Sequence, residues 1–112
     1  MWLSLRDGRP HLAVEEEPTI ADGIEGGVGA RAFELVRRNV DGVVLARERT
    51  VRRAVAELAL REHLVVEGAG AAGVAALLGG AVDAGPVCIV LTGGNVDAAQ
   101  LAGLLRRDAG SC

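Results

Sequence analysis

Two glycine-rich segments of this sequence carry the residue types that could bind a ligand. The more specific one is Thr92-Gly93-Gly94-Asn95-Val96-Asp97, which follows the apolar run 87–91. Open α/β sheets bind ligands beyond the carboxyl ends of their strands. Glycines let a ring approach the backbone, and the hydroxyl of Thr92 can donate one hydrogen bond and accept others. The segment therefore predicts a contact with a ring-shaped ligand, and the alternative is a plain turn between a strand and a helix.

The other segment, Gly68-Ala69-Gly70-Ala71-Ala72-Gly73, matches the G-x-G-x-x-G pattern of dinucleotide-binding folds. In those folds a helix N-terminus binds the pyrophosphate, and an acidic residue at the end of the next strand holds the ribose. Here the next apolar run ends in Thr92 and two glycines, and Glu67 directly before the pattern would repel phosphate. The pattern therefore favours small residues that allow close helix packing over a dinucleotide site.

The charged residues exclude several classes of function. Among 112 residues, 12 are basic and 15 acidic, and the formal net charge of −3 offers no basic field to nucleic acid or to an anionic membrane. All 12 basic residues are Arg, and the sequence has no Lys. This chain therefore cannot itself form a Schiff base with a carbonyl group.

The sequence favours a cytoplasmic location without membrane contact. Its first residues meet charge at Arg6, too early for the apolar core of a secretory signal. The weakly polar stretch 65–82 is interrupted by Glu67 and by glycines, which makes it poor material for a membrane-spanning helix. The two cysteines suit a reducing compartment: Cys88, within an apolar run, is predicted to be a buried thiol, and Cys112 is the last residue.

The apolar pattern predicts a single α/β domain in which short strands alternate with helices. Strands are predicted at 11–14, 43–46, 64–66 and 87–91. Helices are predicted at 2–6, from about Ala30, around Val51, Val55 and Leu58, through Leu78, and after a cap at Asp97. Half of the residues are hydrophobic, the mean hydropathy is +0.31 and only two residues are aromatic. Such a thin, apolar core indicates a piece of protein that another part covers.

Four segments follow one another in an order and at a spacing that match one family's pattern. They are Thr19-Ile20-Ala21-Asp22-Gly23-Ile24, Val40-Asp41-Gly42-Val43-Val44, the run 66–78 that begins Val66-Glu67-Gly68, and Ile89-Val90-Leu91-Thr92-Gly93-Gly94-Asn95-Val96-Asp97. Together they resemble the C-terminal third of the threonine and serine dehydratases and their relative serine racemase. Those proteins are pyridoxal phosphate enzymes of fold type II, the group of the tryptophan synthase β chain. The resemblance extends from about Ser4 to Leu105.

The resemblance implies a partial three-layer α/β/α domain, with residues 1–112 as the C-terminal part of the large cofactor-binding domain. The family's reaction is β-elimination of water from L-threonine or L-serine, which yields a 2-oxo acid and ammonia. The S-x-K-x-R-G segment with the cofactor's lysine belongs to the family's N-terminal two thirds and does not occur in this sequence. We therefore expect no catalytic residue in this chain, a missing N-terminal part as its partner, and no activity of the chain alone.

The resemblance also implies that Thr92 and Gly93 bind the cofactor. Thr92 stands where the family's S-G-G-N-[VI]-D motif has Ser, whose hydroxyl hydrogen-bonds the pyridine nitrogen. A neutral hydroxyl leaves that nitrogen unprotonated, so that the ring withdraws electrons moderately, which suits β-elimination. Threonine keeps the donor but adds a methyl group and stiffens χ1. We expect the function to survive this change.

Three further positions match the cofactor cavity, and one matches an effector site. Glu67 corresponds to a Glu at the edge of the cofactor, and Asp22 and Gly23 correspond to a loop that lines the same cavity. Asn95 corresponds to an Asn that contributes to a nucleotide effector site in the racemase branch. For Glu67 and Asn95, a helix cap or a turn hydrogen bond is the alternative. The resemblance implies no metal ligand in this chain.

Residues 46–51 depart from the family, which has Val-Ser-Glu-Glu-Glu-Ile at a helix start. The Ser cap is replaced by Arg47, and Arg49 also lies at the positive end of the helix dipole. This departure predicts a helix start that is weaker by roughly 1 kcal/mol, with no effect on the site.

Two alternatives to an enzyme part fit the same sequence. One is a non-catalytic regulatory module that binds a nucleotide or an amino acid through Gly68–Gly73, and the other is a decayed remnant that folds poorly. The family's motifs do not separate threonine from serine as substrate, or dehydration from racemisation. For the complete enzyme we expect an amino-acid substrate, pyridoxal phosphate as cofactor and a homo-oligomer.

Overall fold

The computed structural model describes residues 1–15, 17–83 and 85–108. Its helices are α1 (Trp2–Asp7), α2 (Ala30–Asn39), α3 (Glu48–Arg61), α4 (Ala72–Leu78) and α5 (Ala98–Asp108), with a short 3₁₀ turn at Asp22–Ile24 between α1 and α2. All the predicted helices occur, and each begins or ends within a few residues of its expected position.

The core lies where α3 packs against α4 and α5. Val51, Val55 and Leu58 recur along α3 at the spacing of one helix face, and all three are buried, as predicted. The side of α4 that they meet carries alanines, which let the two helix backbones approach closely. Buried residues from the loops, from α4 and from α5 also belong to this cluster: Ile20, Ala21, Val66, Ala71, Ala75 and Leu104.

Helix α5 begins with a side-chain cap, whereas helix α3 begins without one. Asp97 caps α5, because its Oδ1 accepts hydrogen bonds from the backbone N–H groups of Ala99 (2.8 Å) and Gln100 (3.0 Å). This cap confirms the sequence prediction. Helix α3 begins after Arg47, which makes no side-chain capping hydrogen bond, and the acidic residue of its first turn, Glu48, bonds elsewhere.

The predicted strands are not confirmed in the described part of the chain, which contains helices and irregular segments. A strand needs a continuous ladder of backbone hydrogen bonds to a neighbouring strand. Segments 64–66 and 87–91 form no such ladder in the described chain. The residues that follow them share one backbone hydrogen bond, from the Glu67 N–H to the Gly93 carbonyl (3.2 Å). Segment 43–46 leaves Val44 and Leu45 49% and 63% exposed. Segment 11–14 is also irregular. The α/β alternation therefore stays a prediction, and its helical half is confirmed.

Cys88 is exposed, so the predicted buried thiol is wrong. Its neighbours show why. Val87 and Val90 are also exposed, by 43% and 78%, and of this apolar run Leu91 packs against the core. In the described chain segment 87–91 forms no strand, so no sheet neighbour covers these side chains. Cys112 lies outside the described residues.

The described residues contain no helix that is long and apolar enough to cross a membrane. They also contain no group of three or more histidine, cysteine or acidic side chains arranged to hold a metal ion.

Candidate functional site

Glu67 joins two segments that lie far apart in the sequence. Val66 is buried in the core and holds the start of the glycine-rich turn in place. The backbone N–H of Glu67 donates a hydrogen bond to the carbonyl of Gly93 (3.2 Å), and its carboxylate Oε2 accepts one from the backbone N–H of Asn95 (3.1 Å). Both the main chain and the side chain of Glu67 therefore fix the 93–95 segment.

Gly93 lies directly against this carboxylate. Its φ of +70° falls in the left-handed region, which is costly for residues other than glycine. A Cβ at this position would also lie 2.2 Å from Oε1 of Glu67. Both the backbone conformation and the close approach of the carboxylate thus require glycine here.

The turn after Glu67 packs against the backbone of Thr92. A Cβ on Gly70 would lie 1.5 Å from the Thr92 carbonyl oxygen and 2.9 Å from Cγ1 of Val66. Neither atom is the free end of a flexible side chain. The absence of a side chain at Gly70 therefore allows the turn that carries Thr92 to sit where it does.

The loop 19–24 closes the other side of the same turn. A Cβ on Gly68 would lie 2.0 Å from the carbonyl oxygen of Ile20. A Cβ on Gly23 would lie 3.1 Å from the Cβ of Ala69 and 4.0 Å from Oε1 of Glu67. The loop, the turn 68–70 and the 92–95 segment thus meet around the Glu67 side chain.

Most of the site residues predicted from the sequence lie together. Thr92, Gly93 and Glu67 adjoin one another, and Asn95 binds the Glu67 carboxylate through its backbone N–H. Gly23 lies on the loop near the same carboxylate, where a Cβ would be 4.0 Å from Oε1. The bond from Asn95 is the turn-type hydrogen bond given above as the alternative to an effector role. Asp22 begins the 3₁₀ turn next to Gly23 and is exposed. The roles of these residues toward a cofactor stay predictions.

Sequence reasoning missed the group that anchors the loop, Glu48. Its Oε2 accepts a hydrogen bond from the Thr19 hydroxyl (2.6 Å), and its Oε1 accepts one from the Ile20 backbone N–H (3.3 Å) and pairs with Nε of Arg52 (2.7 Å). The sequence predicts that segment 46–51 affects only a helix start, whereas in the structure Glu48 of this segment contacts the site loop. The available signal was modest: Thr19 opens a family-like motif, and Glu48 precedes Arg52 by one helical turn.

These contacts change the ionisation of Glu48. Partial burial, the largest influence, acts to raise the pKa of its carboxyl group. The hydrogen bonds from Thr19 and Ile20 and the positive charge of Arg52 act in the opposite direction and prevail, so that the pKa lies below its ordinary value of 4.5. The carboxylate is therefore held in its charged, hydrogen-bond-accepting form.

The glycines of the G-x-G-x-x-G pattern contact the protein's own atoms. The Cβ positions of Gly68 and Gly70 are filled by the carbonyls of Ile20 and Thr92, and a Cβ on Gly73 would lie 2.8 Å from Cγ2 of Ile89. Close packing thus accounts for all three glycines. This geometry favours the packing interpretation over a nucleotide-binding loop.

The model of the family described as pyridoxal-phosphate dependent enzyme matches residues 3–93. The L-threonine ammonia-lyase of Thermotoga maritima is 44% identical over 99 residues, which are 87% of this chain and 24% of that protein. The catabolic L-threonine dehydratase of Staphylococcus aureus (strain N315) is 35% identical over 96 residues, 80% of this chain and 28% of that protein.

Two crystal structures have a similar fold. Threonine deaminase of T.th. superposes with a TM-score of 0.78 at 35% sequence identity, covering 86% of this chain and 36% of that one. Serine racemase from Dictyostelium discoideum superposes with a TM-score of 0.74 at 32% identity, covering 86% and 31%. This chain therefore spans about a quarter to a third of the length of the proteins it matches.

Proposed function

The chain belongs to the pyridoxal-phosphate dependent enzyme family, and from that premise we propose that it forms the C-terminal part of a threonine/serine dehydratase. The reaction is elimination of water from L-threonine or L-serine, followed by release of ammonia and a 2-oxo acid. One observation carries the proposal: three segments that are distant in sequence lie together at one place on the surface, and they carry Gly23, Glu67 and the pair Thr92-Gly93.

The residues at this place fit one side of the cofactor ring. Thr92 is exposed and is followed by Gly93 and Gly94, which have no side chains to keep a planar ring away from the backbone. When bound, pyridoxal phosphate supplies an electron sink for the bond-breaking at the amino acid. In the proposal, the Thr92 hydroxyl would donate a hydrogen bond to the pyridine nitrogen and would so help to hold the ring.

Glu67 and the glycines around it set the position of Thr92. The Glu67 carboxylate holds the Asn95 N–H, and its stem packs on Gly93, so the segment directly after Thr92 is fixed. Gly70 lets the Thr92 carbonyl approach the opposite turn. In the proposal, Asp22 and Gly23 border the cofactor from the loop. This side of the site therefore contributes binding and orientation, and catalysis requires a lysine from another polypeptide segment, since this sequence has none.

The exposed apolar side chains support a partner segment that carries this lysine. Val44, Leu45 and Val90 lie on irregular segments and are about half exposed or more. Exposed apolar side chains on segments that have no strand partner suit pairing with strands of a second polypeptide segment. We assign this surface to the lysine-bearing part of the enzyme. The homo-oligomer and the cytoplasmic location stay predictions.

The proposal is tested by cofactor binding in the assembled protein. The lysine-bearing part is a polypeptide containing S-x-K-x-R-G, taken from the coding sequence upstream of the Met1 codon. If the upstream sequence encodes no such segment, the lysine-bearing part is taken from the Thermotoga maritima enzyme, from the region that precedes the 99 residues matching this chain. Co-expression with this chain should yield a complex that retains pyridoxal phosphate. Thr92→Ala should lower the cofactor affinity by about tenfold, the loss of one good hydrogen bond, whereas Thr92→Ser should keep it. Equal affinities for Thr92→Ala and wild type would exclude the assigned role.

A further inference from the structure

Glu48 makes contacts that an ordinary surface helix residue does not make. An acidic residue four positions before an arginine usually forms an exposed ion pair of little energetic value, and the pair with Arg52 is of that type. Glu48 also accepts hydrogen bonds from Thr19 (2.6 Å) and from the Ile20 backbone N–H (3.3 Å), which lie 29 and 28 residues away. These two bonds join the first turn of α3 to the loop 19–24.

Thr19 has a fixed role in this contact, because both hydrogen-bonding functions of its hydroxyl are used. The hydroxyl donates to Glu48 and accepts from the backbone N–H of Ala21 (3.0 Å). The side chain thus closes a small turn around Ile20, which is itself buried in the core. Valine at this position would keep the shape and lose both bonds, and serine would keep both.

The anchored loop in turn supports the turn at Glu67. The Ile20 carbonyl occupies the space of a side chain at Gly68, and Gly23 packs against Ala69. A loop that moved away from α3 would withdraw these contacts from the residues directly after Glu67. The Glu67 carboxylate, which holds the Asn95 N–H, would then lose support on that side.

We propose that Glu48 and Thr19 are positioning residues for the cofactor site, acting through the loop 19–24 on Glu67. This inference rests on the proposed function, since the site whose geometry they hold is the one that Thr92 and Gly93 border. Neither residue touches the reacting atoms. Their effect is to keep the loop in contact with the turn 68–70, and with it the carboxylate that fixes the segment after Thr92.

Amide hydrogen exchange of the full 112-residue chain provides a test that needs no cofactor. Thr19→Val and Glu48→Ala should speed exchange in the 19–25 segment by about tenfold or more, because bonds to a charged acceptor are lost. They should also speed exchange of the Asn95 amide. Thr19→Ser should behave like wild type, and so should Glu57→Gln, a matched control on α3 whose ion pairs with Arg53 and Arg61 lie at the surface. Unchanged exchange at 19–25 and Asn95, or an equal increase throughout α3, would overturn the inference.

A second measurement separates positioning from simple stabilisation. In the complex with the lysine-bearing part, Thr19→Val should lower pyridoxal phosphate affinity by several-fold relative to Thr19→Ser, with Glu57→Gln unchanged. Faster loop exchange with unaltered affinity would overturn the positioning role. A wild-type complex that binds no cofactor would instead contradict the proposed function, and the exchange result would still show whether Glu48 anchors the loop.

Discussion

Replacing Gly70 by alanine should disturb the site through a steric clash with the backbone. The added Cβ would lie 1.5 Å from the Thr92 carbonyl oxygen, whereas ordinary van der Waals contact begins at 3.4 Å. The two groups must therefore separate by about 1.9 Å, which is the difference between these two distances. Val66 Cγ1, at 2.9 Å from the new atom, limits movement on the second side. The turn that carries Thr92 has to give way.

The cost should be about 1–3 kcal/mol of unfolding free energy, the usual range for overpacking a close contact. Gly103 provides a matched control. It lies inside α5, and a Cβ there would have nothing within 4 Å. Gly103→Ala should stabilise the chain by about 0.5–1 kcal/mol, because alanine loses less backbone entropy on forming a helix. The same chemical change is thus expected to have opposite signs at the two positions.

Urea unfolding followed by circular dichroism measures both variants. Gly70→Ala should shift the transition to lower urea at an unchanged slope, and it should lower the thermal midpoint by at least about 4 °C. Gly103→Ala should shift both in the other direction. A Gly70→Ala chain that is as stable as wild type would refute the close approach of the turn to Thr92. It would also remove the packing explanation of the G-x-G-x-x-G pattern.

Three other perturbations have expected outcomes. Asp97→Ala should lower the free energy of unfolding, measured in urea, by about 1 kcal/mol, because two backbone N–H groups of α5 lose their cap. Asp97→Ser should restore most of this stability. An alanine variant as stable as wild type would contradict the cap. Because the pKa of Glu48 is lowered in the folded chain, the contribution of this carboxylate to stability is complete above the ordinary pKa of 4.5 and is lost as the pH falls through the lowered pKa. Glu48→Gln should therefore lose less stability than wild type as the pH falls. Parallel curves of stability against pH would count against this role of Glu48. ATP or AMP should leave the thermal midpoint unchanged, whereas a rise by mass action would revive a nucleotide-binding role for Gly68–Gly73.

Local patterns in the sequence were sufficient to predict the helices. The spacing of Val51, Val55 and Leu58 identified the inner face of α3, and Asp97 identified the start of α5. Such features depend on neighbours three or four residues away, which a single sequence displays directly. The predicted strands depend on partners elsewhere in space, and the segments 43–46 and 87–91 have no continuous ladder in the described chain.

The sequence was sufficient to predict which residues form the site, but not which residues hold the site in place. Motif resemblance selected Thr92, Gly93 and Glu67, which the structure brings together. The bond between Thr19 and Glu48 spans 29 residues and joins a loop to a helix start, and neither residue type alone indicates it. Cys88 shows a related limit: the apolar run was evident, but which alternate side chains face the core depends on packing.

We propose that this chain supplies the Thr92 side of a pyridoxal phosphate site and depends on a lysine from another segment. Ammonia release from L-threonine, measured with pyridoxal phosphate for this chain alone, for the lysine-bearing part alone and for both together, tests it most directly. We expect release only when both are present, and a reduced rate with Thr92→Ala. Release by this chain alone, or a combined rate unaffected by Thr92→Ala, would contradict the claim.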